Sequence, residues 1–75
     1  MDVFRKRLKE LRLDKKKTQK ELATIIGTNN SSLCDWECGR TEPNIDMILK
    51  LALYFEVSCD YLLGLENDDG SKISF

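Results

Sequence analysis

The residues that most constrain the fold are Ala23, Gly27, Leu33 and Trp36, at the fifth, ninth, fifteenth and eighteenth positions counted from Gln19. Two short helices that cross steeply must approach closely at one point, and Ala23 offers the small side chain this contact needs. The tight turn between them wants a residue without a Cβ, which Gly27 supplies. Leu33 and Trp36, three apart, then share one face and lock the second helix onto the core. The spacing leaves the front of that second helix projecting outward.

The rest of the chain fits a small helical domain around this pair. Phe4, Leu8 and Leu11 recur at helical spacing between charged residues, so residues 2–13 are predicted to form an amphipathic helix, followed by the polar stop "DKKK". "TQKE" places Thr18 as N-cap and Glu21 three residues later, a capping box that starts a second helix with Leu22, Ala23 and Ile26 inward. Asn29 is the N-cap of a third helix running to about Cys38, closed by Gly39. Pro43 precedes a fourth, in which Ile45, Ile48, Leu49, Ala52 and Phe55 keep the 3.6-residue period. Ser58 caps a last short helix with Tyr61, Leu62 and Leu63, and Gly64 ends it. The expected class is all-α, five short helices, with a domain over residues 1–65 and a flexible acidic tail over 66–75.

Composition narrows the function. Seventy-five residues make one domain, which buries only about 60–65% of the surface its unfolded chain exposes. No apolar run approaches the roughly 18 residues of a membrane span, and "MDVFRKRLKE" has no continuous apolar segment of the secretory kind, so a cytoplasmic protein with no membrane partner is expected. Net charge is −1, yet it is divided unevenly. Residues 1–20 hold nine Lys or Arg against three acids, and residues 21–75 hold three against ten. A basic end of this kind can meet phosphate while the remainder keeps the chain soluble.

At this point the sequence resembles the helix-turn-helix domain of Cro and phage-repressor type, the lambda-repressor-like or xenobiotic-response-element family. The resemblance rests on "TQKELA", the "IG" turn at Ile26 and Gly27, Trp36, Glu37 and Gly39 of "WECG", Pro43, and Val57 with Asp60 to Leu63 of "VSCDYLL". It covers about Phe4 to Leu63, and the motifs come in order at matching spacing. It implies that Gln19, at the start of the second helix, binds phosphate together with the helix amides, and that Asn29, Asn30 and Ser31 front the helix that enters the major groove. Asp35, one turn on, matches another groove-facing position. Arg40 and Asn44 match positions that grip the DNA backbone, joined by Lys16, Lys17 and Thr18 ahead of the second helix. Arg12 and Glu37 match a structural ion pair.

The side-chain chemistry agrees in part. Asn30 can pair bidentately with adenine, a contact worth about 1–3 kcal/mol of discrimination, whereas Ser31 specifies little. Asp35 stands where a long polar or basic residue is usual. It reads as an acceptor for cytosine N4, as a group that rejects wrong sites, or as an indifferent solvent-facing acid. Arg5, Lys6 and Lys9 read as the solvated face of the first helix. Trp36 reads as core. Cys34, Cys38 and Cys59 cannot make a four-ligand structural zinc site in a chain without histidine, so they read as reduced thiols, either small apolar residues or surface groups. No metal or other cofactor and no catalytic residue is expected: there is no glycine-rich phosphate loop and no base paired with a Cys or Ser nucleophile.

The expected function is that of a sequence-specific regulator, a repressor of phage, prophage or mobile-element type, binding a pseudo-palindromic operator in double-stranded DNA. Leu62, Leu63, Leu65, Ile73 and Phe75 exceed the apolar needs of one short helix and predict a homodimer through the C-terminal helix. The rival is an antitoxin or protein-interaction module on the same fold, meeting an unknown partner through the acidic half.

Overall fold

The computed structural model describes residues 2–67 and 71. Its helices are α1 (Asp2–Asp14), α2 (Gln19–Ile26), α3 (Asn30–Cys38), α4 (Ile45–Phe55) and α5 (Cys59–Leu63). Local chemistry sets most boundaries. Thr18 Oγ1 accepts the Glu21 N–H at 3.0 Å while the Glu21 carboxylate accepts the Thr18 N–H at 2.9 Å, so α2 begins with a complete capping box. Asn29, Asn44 and Ser58 cap α3, α4 and α5 by accepting the N–H groups of Ser32, Met47 and Tyr61. At the other end of α2, Gly27 adopts φ +83°, and the Thr28 N–H donates back to the Ala23 carbonyl at 2.8 Å. That left-handed closure is open to glycine without strain. The end of α4 is made without glycine: Glu56 takes φ +56°, and the Val57 N–H donates to the Ala52 carbonyl.

The core joins all five helices through Phe4, Leu8, Leu22, Ala23, Ile26, Leu33, Trp36, Leu51, Phe55 and Leu62. Two expected registers differ. In α1 the fully inward positions are Phe4, Leu8 and Arg12, with Leu11 only partly covered. In α4 Leu51, Ala52 and Phe55 are buried, whereas Ile45 and Leu49, expected on the inner stripe, are 76% and 47% exposed. Nine of the eleven α4 residues are apolar, so several stripes are available and only packing against the other helices selects one.

Two ties hold α1 to its surroundings. Arg12, buried despite its charge, makes a bidentate bridge to Glu37 of α3, with Nε–Oε2 at 2.7 Å and Nη2–Oε1 at 3.0 Å. Its third nitrogen donates to the Lys17 carbonyl at 2.8 Å. Arg7 reaches α5, donating to the Tyr61 and Glu66 carbonyls and lying over the Tyr61 ring at 4.1 Å. Glu66, where the composition turns acidic, is thus still joined to the helices, and its carboxylate also accepts the Ser58 hydroxyl at 2.9 Å. Residues 68–70 and 72–75 of the expected tail, Ile73 and Phe75 included, lie outside the described residues. Leu62 is fully buried and so is taken up by the core, Leu63 is partly buried against it, and Leu65 remains 41% exposed.

Candidate nucleic-acid interface

The packing of α2 against α3 decides what faces outward. Leu33, Trp36 and Glu37 turn inward, and this leaves Asn29, Asn30 and Ser31 exposed at the front of α3 with Asp35 half-buried one turn behind. The four side chains differ in what they have left to offer. Asn29 commits its Oδ1 to the Ser32 N–H at 2.8 Å, so only its NH₂ can donate outward. Asn30 and Ser31 have no such local commitment and present their polar groups to solvent. Asp35 Oδ1 lies 3.5 Å from Arg40 Nη1 in an ion pair that is 34% exposed on the acid side and 73% on the basic side. A pair this exposed contributes little stability. Its effect is local: it offsets the negative charge on the helix face.

A run of basic residues leads into α2. The turn between α1 and α2 carries Lys15, Lys16 and Lys17, and Lys16 holds φ +56° within it. The three lysines diverge: Lys15 Nζ lies over the Tyr54 ring of α4 at 4.6 Å, Lys16 is exposed, and Lys17 is half-buried beside the start of α2. Thr18 Oγ1 is the N-cap acceptor, which leaves its O–H to donate. The Gln19 and Lys20 N–H groups open α2 ahead of the capped Glu21 N–H, the arrangement that binds phosphate at helix N-termini. The Gln19 side chain is drawn inward instead, donating from Nε2 to Glu37 Oε1 at 3.1 Å. Gln19 thus belongs to the Arg12–Glu37 network, and it can offer an anion its backbone amide and the second hydrogen of Nε2. Asn44 similarly uses Oδ1 as the cap of α4 and keeps only its NH₂ for an outside partner.

The structure adds three features to the sequence reading. Lys20 shares with Lys17 a shallow groove of about 340 Å³ along α2 and extends the basic edge; its place directly after Gln19 was the available signal. Arg5 is not wholly a solvated residue of α1: a Cβ on Gly39 would meet its Cδ at 3.1 Å, so it lies against the end of α3 near Arg40. The third is the thiol pair Cys34 and Cys38, whose Sγ atoms stand 3.9 Å apart. The hydrogen bond with Cys38 raises the Cys34 pKa, followed by the nearby Cys38 charge and desolvation. The spacing of four was visible in the sequence, and the direction of the side chains was not.

This geometry has counterparts. The family model described as helix-turn-helix matches residues 8–62. The chain belongs to that family. Among curated members, the HTH-type transcriptional regulator ImmR of Bacillus subtilis (strain 168) is 43% identical over 67 residues, which cover 89% of this chain and 51% of ImmR. The uncharacterized HTH-type transcriptional regulator YobD of the same organism is 37% identical over 71 residues, 95% of this chain and 63% of YobD. The chain thus spans between half and two thirds of these relatives' length. In structure, the P22 c2 repressor protein in complex with a synthetic operator superposes with a TM-score of 0.76 at 32% identity, covering 80% of this chain and 91% of that one. The five-helix, all-α architecture of this helix-turn-helix chain is therefore that of a lambda-repressor-like domain.

Proposed function

We propose that this chain is a sequence-specific double-stranded DNA-binding transcriptional regulator, a repressor that works by occupying its operator and without catalysis. The observation that carries the reading is the outward front of α3, where Asn30 and Ser31 stand exposed and uncommitted, on a chain whose α2 opens with free amides behind the basic Lys16 and Lys17. It is supported by the likeness to a repressor seen on its operator and to relatives named as transcriptional regulators. Asn29, Asn30, Ser31 and Asp35 face base edges. Lys16, Lys17, Thr18, the Gln19 amide, Arg40 and Asn44 face phosphates. Lys20 joins them. Such a regulator acts in the cytoplasm, and among the described residues no helix is long and apolar enough to cross a membrane.

The nine residues of α3 extend about 13 Å, enough to read one half-site of a few base pairs. Operator length then asks for a second copy, and the functional unit in this reading is a homodimer joined near the end of α5. There Leu65 is exposed, and so is Val3, which packs beside Gly64. Binding should be measured across a salt series. The expected log–log slope is about −0.9 per phosphate contacted, and Lys17→Ala should reduce its magnitude by about one while weakening all sequences alike. A slope near zero would remove the DNA reading, and an unaltered slope in the variant would remove Lys17 from the phosphate contacts.

A further inference from the structure

Among the described residues, the cluster of nucleophilic side chains that DNA reading leaves unused is the thiol pair on α3. Cys34 and Cys38 are one helical turn apart, with Cys34 half-buried, Cys38 exposed and the sulfurs at 3.9 Å. At about 100° per residue, the order around the outer face of α3 is Asn30, Cys34, Cys38, Ser31, Asp35. The sulfurs therefore stand between the side chains assigned to bases.

Three considerations define what this pair suits. Metal–thiolate bonds are about 2.3 Å long, so sulfurs 3.9 Å apart reach one ion between them at an S–M–S angle of about 115°, and a linear arrangement asks for only about 0.7 Å more. Thiolates are soft donors and select soft ions, Cu(I) among them. Among the described residues no group of three or more His, Cys, Asp or Glu gathers as a ligand set, so the pair fits an ion satisfied by two protein sulfurs and not a structural zinc. The competing fate, a disulfide, is opposed by the helix. Cβ atoms one turn apart lie about 5–6 Å from each other, whereas a disulfide draws them to about 3.8 Å. An ion bridges that gap and a direct S–S bond does not.

We propose that Cys34 and Cys38 form a two-thiolate site for a soft monovalent cation of the Cu(I) class, and that filling it releases the chain from DNA. The second half rests on the DNA-binding reading above. Each thiol gives up its proton, each sulfur donates a lone pair to the ion, and no electron is transferred: two S–H bonds break, two S–metal bonds form and two protons leave. The neutral pair becomes a unit of net charge −1, next to Asp35, on the face that must approach phosphate. Both the added charge and the added bulk oppose docking.

The test uses the full 75-residue chain under anaerobic conditions, with Cu(I) supplied as the complex of a chromophoric chelator whose bleaching reports transfer. Wild type and Cys59→Ser should each take one ion per chain and release protons. Cys34→Ser and Cys38→Ser should each bind at least about 100-fold more weakly, the loss expected when two linked ligands become one. Because Cys38 is exposed, its variant keeps the comparison valid even if the change at Cys34 disturbs packing. Duplexes selected from random DNA then report the coupling: loading should weaken wild-type binding about tenfold or more, and the same Cu(I) should leave the ratio near one in either variant. Equal ion affinity in wild type and Cys38→Ser would overturn the site. Unchanged DNA affinity of the loaded wild type would overturn the coupling. A chain that takes the ion through the pair but binds no duplex with or without it would remove the DNA reading and the coupling, and leave the thiol site standing.

Discussion

A carboxylate on a helix that approaches phosphate lowers affinity unless a cation stands near it, and Arg40 stands 3.5 Å from Asp35. In the proposed DNA reading, Asp35 meets the groove with its charge partly offset and with an oxygen left to accept from a base. In the same reading Asn30 carries the sharper role, because its amide is exposed and uncommitted. Asn30→Ala should cost about 1–3 kcal/mol and relax specificity at one base pair, measured by competition among duplexes substituted at each position; equal preference profiles for the two proteins would remove it from base contact. Glu37 works in the opposite sense. It accepts from two nitrogens of Arg12 and from Gln19 inside the domain, and the hydrogen bond to Glu37 raises the Arg12 pKa against the opposing effect of burial. Glu37→Gln leaves Arg12 buried without its counter-charge, so the domain should lose about 3 kcal/mol, roughly 12–24 °C in melting temperature, with base preference unchanged. An unshifted melting curve would contradict this. The Arg12–Glu37 pairing was legible through the family resemblance. The inward turn of Gln19 and the single free amide of Asn29 and Asn44 were not, because one residue type serves equally as cap, network member or phosphate ligand, and only the surrounding geometry chooses.

At the scale of elements, the boundaries were legible wherever a boundary has a chemical signature: Thr18 with Glu21, Asn29, Gly27, Gly39, Ser58 and Gly64. They were less so where it has none, as at Glu56, a non-glycine residue in the left-handed region. The α4 stripe was misread for a related reason. With nearly every position apolar, periodicity discriminates poorly, and burial of Leu51 in place of Ile45 and Leu49 follows from where α2 and α5 already lie. The capping box of α2 offers a pH test. The Thr18 N–H donated to Glu21, and then the Thr18 hydroxyl, lower the Glu21 pKa below its ordinary value of 4.5. A carboxyl whose folded pKa lies below its unfolded one binds fewer protons when folded, so its contribution is present above the unfolded pKa and lost as pH falls through the folded one. The melting-temperature difference between wild type and Glu21→Gln should therefore be constant near neutrality and vanish as pH drops below the ordinary carboxylate range. A difference that persists in acid would show that the cap does not depend on the carboxylate charge.

For the molecule as a whole, the uneven charge along the sequence becomes a spatial arrangement. The lysines between α1 and α2 lead into the start of α2, the Arg12–Glu37 bridge fixes α1 against α3, and a net charge of −1 does not prevent a locally basic edge. The fold class was legible because five ordered motifs share one geometry. The dimer seam was less so: of the leucines that suggested it, Leu62 is taken up by the core and Leu63 is partly covered, and a chain this small has few apolar residues to spare. Selection of bound sites from random duplex DNA by the full chain tests DNA reading and its symmetry together. The expected outcome is an enriched inverted repeat whose half-sites are centred about 34 Å, or 10 base pairs, apart, each with an adenine position that loses enrichment in Asn30→Ala. Recovery of unenriched sequence would contradict sequence-specific binding, and a lone half-site without its inverted partner would contradict the dimer.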